Sequence, residues 1–218
     1  MSAARTAPVR RPRGRFEGPR LVAWAAAALA VLVAALLAGE GTGEAGLRAL
    51  VRWTARVGLA CFLAAYTASS LRRLWPRSST AWLLRNRRWL GLSFATAQAV
   101  HLAAIGLLAR RLGDAFEVEP VSFAGGAFGY AFTAALAATS SDRAVAWLGA
   151  SRWRLLHRAG IHWLWLVFAV TEIPAAPVSP LHALLAALVA GAAIVRLVAW
   201  RVGRRARLPA SAVADRMR

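Results

Sequence analysis

Four histidines hold most of the chemistry that this sequence offers: His101, His157, His162 and His182. His101 alone lies well inside an apolar run. His157 and His162 stand near the start of a later run, and His182 at the edge of the last. An imidazole at membrane depth serves either as an interhelical hydrogen-bonding group or as a neutral metal ligand, typically in the axial position on haem iron. The other constellations are plainer. Arg48, Arg52 and Arg56 recur every four residues, so one helix face carries a cationic stripe that either reaches for lipid phosphate or meets an anionic partner. Arg196 reads as a cation snorkelling out of the last apolar run. Trp163 and Trp165 read as packing residues or as flanks for a flat ring. The lone Cys61 excludes an internal disulfide and, within an apolar run, is inert. No acid–base dyad, nucleophile with a partnered base, closed zinc set or Gly-rich phosphate loop can be assembled.

The elements that must position these residues are membrane helices. Of the 218 residues, 59% are apolar and 17% charged, and the mean hydropathy is +0.49. A soluble domain is nearer half apolar and a quarter charged. The net charge of +19 would suit nucleic acid, but a nucleic-acid module does not carry repeated apolar runs of membrane length, so that partner is excluded. Six such runs are found, over residues 21–38, 57–71, 89–109, 122–139, 157–173 and 181–200, the second extending back through 47–56. Each approaches the ~20 residues that cross a hydrocarbon core of ~30 Å. The alternating pattern of a membrane barrel is absent, and backbone groups in lipid are satisfied within each segment only by helices. The expected fold is therefore an all-α bundle of six transmembrane helices over residues 21–200. A basic arm (1–20) and a basic tail (201–218) flank it, neither long enough for a flavin or nucleotide domain.

Orientation follows from the arginines, which supply all 28 basic residues. Most fall in the arm, in the 72–88 and 140–158 connections, and in the tail. Six of the 9 acidic residues (Glu40, Glu44, Asp114, Glu117, Glu119, Glu172) fall on the opposite side. The positive-inside rule then places both termini in the cytoplasm of a multi-pass inner-membrane protein. The first run follows arginines as a secretory signal does, but it exceeds the roughly 7–15 apolar residues of a signal core, and we read it as a retained helix. Gly125, Gly126, Gly129 and Ala131 give the fourth run a small-residue face suited to close helix packing.

Two stretches resemble a known family. Arg87-Arg88-Trp89-Leu90-Gly91-Leu92, then Phe94 and His101-Leu102, are similar to the third helix of the ferric reductase-like transmembrane family. Thr139-Ser140-Ser141, Leu148-Gly149 and Trp153-Arg154-Leu155-Leu156-His157-Arg158 resemble its connection between helices four and five. The resemblance spans about residues 45–200. It implies b-type haem between helices three and five, with His101, His157 and His162 as cofactor-binding candidates and His101 and His157 as candidates for the iron. It further implies electron transfer from quinol or a cytoplasmic flavin reductase to an extracytoplasmic acceptor, as the membrane component of an oxidoreductase. One departure is plain: relatives carry a further histidine thirteen residues after the position of His157, where this chain has Val170. The alternative expectation is a haem-free six-helix subunit that keeps the fold and binds a partner.

Overall fold

The computed structural model describes residue 14 and residues 16–205. The expected basic arm lies outside the described residues up to 13 and at 15, and the tail does so from 206 onward. The described elements are helices and short turns: α1 (Pro19–Glu40), α2 (Glu44–Leu74), α3 (Ser78–Leu112), α4 (Pro120–Ala138), α5 (Asp142–Leu148), α6 (Ala150–Ala175) and α7 (Pro180–Arg205). All but α5 are long and apolar enough to cross a membrane. The chain is thus an all-α polytopic membrane protein.

Local signals set the helix boundaries. Proline opens α1, α4 and α7, where a missing N–H costs no helical bond. Glu119 caps α4 by accepting from the N–H groups of Val121 and Ser122 at 3.0 and 2.7 Å. Those bonds, first that of Val121, hold its carboxyl below the usual glutamate range. Before α3, the Arg77 N–H donates to Thr80 Oγ1 at 3.1 Å, closing half of a capping box. Gly113 and Gly149 take φ values of 54° and 79°, the left-handed backbone that ends α3 and separates α5 from α6.

Three helices start earlier than their apolar runs. α2 starts at Glu44, α3 at Ser78 and α6 at Ala150, because the arginine-bearing turns before each run are helical too. α3, with 35 residues, is about 52 Å long, well beyond the ~30 Å of hydrocarbon. Its arginine-rich turns therefore stand at and beyond the membrane surface.

α2 is the central helix and packs against α1, α3 and α7, while α6 packs against α4 and α7. Phe62 and Tyr66 of α2, Phe94 of α3, Leu164 of α6 and Ala192 of α7 form one buried cluster. A second joins Leu47 and Leu50 of α2 to Ala104 and Leu108 of α3, at the arginine-poor end. The small-residue face of α4 is used only in part. Gly129 is buried against Leu164 and Val167, whereas a Cβ at Gly125 or Gly126 would meet nothing within 4 Å. α4 and α6 also meet closely at Gly160, whose added Cβ would come 3.0 Å from Leu136 and 3.2 Å from Phe132. Gly160→Val should therefore overpack this contact and cost about 1–3 kcal/mol. A lowered midpoint of thermal unfolding in detergent would show it, and an unchanged midpoint would mean that the two helices are not held this close.

Candidate functional site

A cavity of about 470 Å³ opens at the arginine-rich end of the bundle, between α3 and α6. Phe62 and Tyr66 of α2, Phe94 of α3 and Leu164 of α6, all members of the buried cluster, line its inner part. The last turn of α4 and the first of α5 complete the wall, with Leu136, Ser140 and Asp142. Most of this lining is apolar, as in pockets for flat organic ligands, and the volume lies within the ~300–1,000 Å³ typical of such sites.

His157 is the histidine in this wall. Its ring lies 4.1 Å from that of Trp153, one turn earlier on α6, and its Nε2 is 3.5 Å from Thr139 Oγ1. The Thr139 hydroxyl donates to the Ala135 carbonyl at 2.6 Å, and the Trp153 indole N–H donates to the Thr139 carbonyl at 3.0 Å. The end of α4 and the start of α6 are thus tied together around the imidazole. The motif residues Thr139, Trp153 and His157 meet at one place.

Three arginines of α3 line the cavity, and they differ in what answers their charge. Arg85 pairs with Glu17 at 3.0 Å, and Arg88 pairs with Asp142 at 3.1 Å while lying over the Trp89 ring. Arg87 has no such carboxylate partner among the described residues.

His101 is elsewhere, in the half of α3 toward the arginine-poor end. Its Nδ1 is 3.0 Å from Thr54 Oγ1 of α2, and its ring lies 6.4 Å from that of Tyr130 of α4, at 28° between planes. The Thr54 hydroxyl spends its one proton on the Leu50 carbonyl at 2.6 Å. It can only accept from His101, so Nδ1 carries the hydrogen and Nε2 keeps its lone pair. The tautomer is the one a metal or a donor proton would require.

His162 is not a wall residue. Its Nδ1 is 3.3 Å from the Tyr66 hydroxyl and its ring stands edge-on to Tyr66. His182 pairs with Glu172 at 3.3 Å between α6 and α7. The histidines are therefore not brought together, and no group of three or more His, Cys, Asp or Glu side chains suited to a metal ion occurs among the described residues. Val170 is 63% exposed on α6 and turns away from the bundle interior. Trp163 and Trp165 are packing residues: their indoles donate to the carbonyls of Gly125 and Val189, at 3.3 and 3.0 Å.

Two features escaped sequence reasoning. Both tyrosines of the chain stand beside a histidine, Tyr66 by His162 and Tyr130 by His101. A phenol in an otherwise apolar run was the available signal. Arg196 also differs from the snorkelling expected of it. It turns inward, lies 4.2 Å over the Tyr66 ring and donates to the Tyr66 carbonyl at 2.7 Å. Of the outer arginine stripe, Arg48 pairs with Glu44 at 2.7 Å and Arg56 lies over Trp53, so local partners answer two of its three charges.

Thr54→Val should leave the His101 Nδ1–H without its acceptor inside the bundle, at a cost of about 1–3 kcal/mol. Thr54→Ser should keep the bond and most of the stability. Thermal unfolding of the two variants side by side checks this, and equal losses would show that the methyl group matters rather than the hydrogen bond.

No protein-family model matches the chain, and no solved structure does. Among curated proteins it is similar to the haem-binding subunit MsrQ of protein-methionine-sulfoxide reductase from Azospira oryzae, with 33% identity over 156 residues. The matched stretch covers 64% of this chain and 59% of that relative, so the chain spans less than two thirds of the relative's length.

Proposed function

We propose that this protein is a haem-binding membrane subunit that passes electrons across the bilayer. The observation that carries the reading is the apolar cavity with His157 in its wall. The residues present fit a porphyrin: phenylalanine, tyrosine and leucine side chains suit its faces, and Arg87, which has no carboxylate partner among the described residues, suits its carboxylates. The named relative, a haem-binding subunit, supports the same group. The chain's single cysteine has no C-x-x-C-H setting, so attachment would be non-covalent, as in b-type haem.

His157 is the first candidate to hold the iron in the cavity, with Thr139 and Trp153 fixing its ring. His101, its Nε2 lone pair preset by Thr54, is the candidate nearer the opposite face. His162, engaged with Tyr66, is the weakest of the three. Haem would supply reversible one-electron reduction, and the chain's part is to bind, orient and keep water out. Phe62, Tyr66 and Phe94 close the inner end of the cavity to solvent. The arginine-rich end faces the cytoplasm of a bacterial inner membrane by the positive-inside rule. Electrons would enter there from quinol or a flavin reductase and leave to an acceptor beyond the opposite face.

One observation favours the alternative, a haem-free subunit with a structural or partner-binding role. No two of the four histidines face each other across a common space, and the position that would supply another, Val170, points outward.

A reduced-minus-oxidised absorption spectrum of the purified protein decides between them. The expected result is a b-type spectrum, lost in His157→Ala or His101→Ala, which also identifies the ligand. A colourless protein from haem-replete cells would establish the haem-free reading instead.

A further inference from the structure

The arginine-rich half of the bundle holds positive charge that no carboxylate among the described residues answers. Arg87 stands in the cavity wall, and Arg196 is stacked on Tyr66, another wall residue. Tyr66, Arg87 and Arg196 each lie about 12–14 Å from the arginine-rich end of their own helix, at 1.5 Å per residue. Three helices thus bring a phenol ring and two guanidinium groups into one layer. Among the described residues neither arginine is within ion-pair distance of a carboxylate, while Arg85 and Arg88 beside them both are.

A guanidinium half-buried in an apolar wall is paired, or it faces water or a ligand. The Tyr66 ring and carbonyl answer part of the Arg196 charge. Arg87 lines the cavity and has no carboxylate partner among the described residues.

We infer that Arg87, with the charge of Arg196 behind Tyr66, forms an anion clamp for the carboxylate or phosphate of an amphipathic molecule whose apolar body fills the cavity. A guanidinium grips either group through two parallel N–H donors. Two sources share this chemistry: the propionates of haem, for which the inference rests on the function proposed above, and the phosphate of an anionic phospholipid, for which it does not.

The test uses the full chain in nanodiscs. Binding of haem is compared with that of haem dimethyl ester, whose carboxylates are blocked. Retention of phosphatidylglycerol against phosphatidylcholine is read by native mass spectrometry. Wild type, Arg87→Gln, Arg87→Lys and Arg196→Gln are compared, with Arg110→Gln at the opposite end as a control for lost charge. The expected result is a preference of about tenfold or more for haem over its ester in the wild type. Arg87→Gln abolishes it, Arg196→Gln weakens it, and Arg87→Lys keeps part of it. If the wild type takes up neither porphyrin yet prefers phosphatidylglycerol, and Arg87→Gln removes that preference, the haem reading fails while the clamp stands. Equal binding of haem and its ester with no lipid preference overturns the clamp and leaves the haem reading intact. A preference that survives Arg87→Gln also overturns it. The wild-type comparisons need no variant and can overturn the clamp by themselves, and Arg87→Lys tests the residue should Arg87→Gln fail to fold.

Discussion

A helix in hydrocarbon satisfies its own backbone and nothing more. Every polar side-chain atom within the bundle must find its partner one turn away or across a helix interface, and this requirement orders the interior. The short hydroxyl residues take the local route: Thr67, Ser93, Thr96 and Thr133 each donate to the carbonyl four residues earlier. The longer groups must cross. Trp163 and Trp165 reach neighbouring helices, Arg73 donates to the Ala199 carbonyl of α7, and Arg196 answers it from α7 to the Tyr66 carbonyl of α2. The one buried side-chain atom left without a partner among the described residues is Gln98 Oε1, at the α2–α3 contact, where Gly58 makes room for it.

The same requirement explains how far the sequence could be read. Each helix is encoded in its own composition, so six spans and an all-α class are visible from apolar runs alone. Their starts are less visible, because hydropathy falls across Arg85–Arg88 and across Arg152–Arg158 although the backbone stays helical. The site is less legible still. Thr139 and His157 stand close in sequence and appear in one motif, so their meeting could be expected. Tyr66 and Arg196 are 130 residues apart, and Thr54 and His101 are 47 apart. Their pairing depends on which faces α2, α3 and α7 turn toward each other. A nearly uniform Ala, Leu and Val composition does not specify that, since packing between membrane helices lacks the hydrophobic contrast that marks a soluble core.

The position of the cavity follows from unequal helix lengths. α4 has only 19 residues, about 28 Å, while its neighbours α3 and α6 have 35 and 26. At the arginine-rich end α4 has stopped at Ala138, and Arg85, Arg87 and Arg88 of α3 line the open cavity together with Trp153 and His157 of α6. The connection beyond α4 is not a bare loop. It forms the seven-residue α5 instead, capped by Ser141, whose side chain accepts from the Ala144 N–H at 3.1 Å. α5 then roofs the opening with Val145 and with Asp142, held by Arg88. Trp147, 85% exposed on the same short helix, has the amphipathic ring that settles at a membrane interface. One shortened helix thereby yields both an apolar recess within the membrane and a polar rim at its surface. That combination suits an amphipathic ligand better than a wholly apolar or wholly charged one.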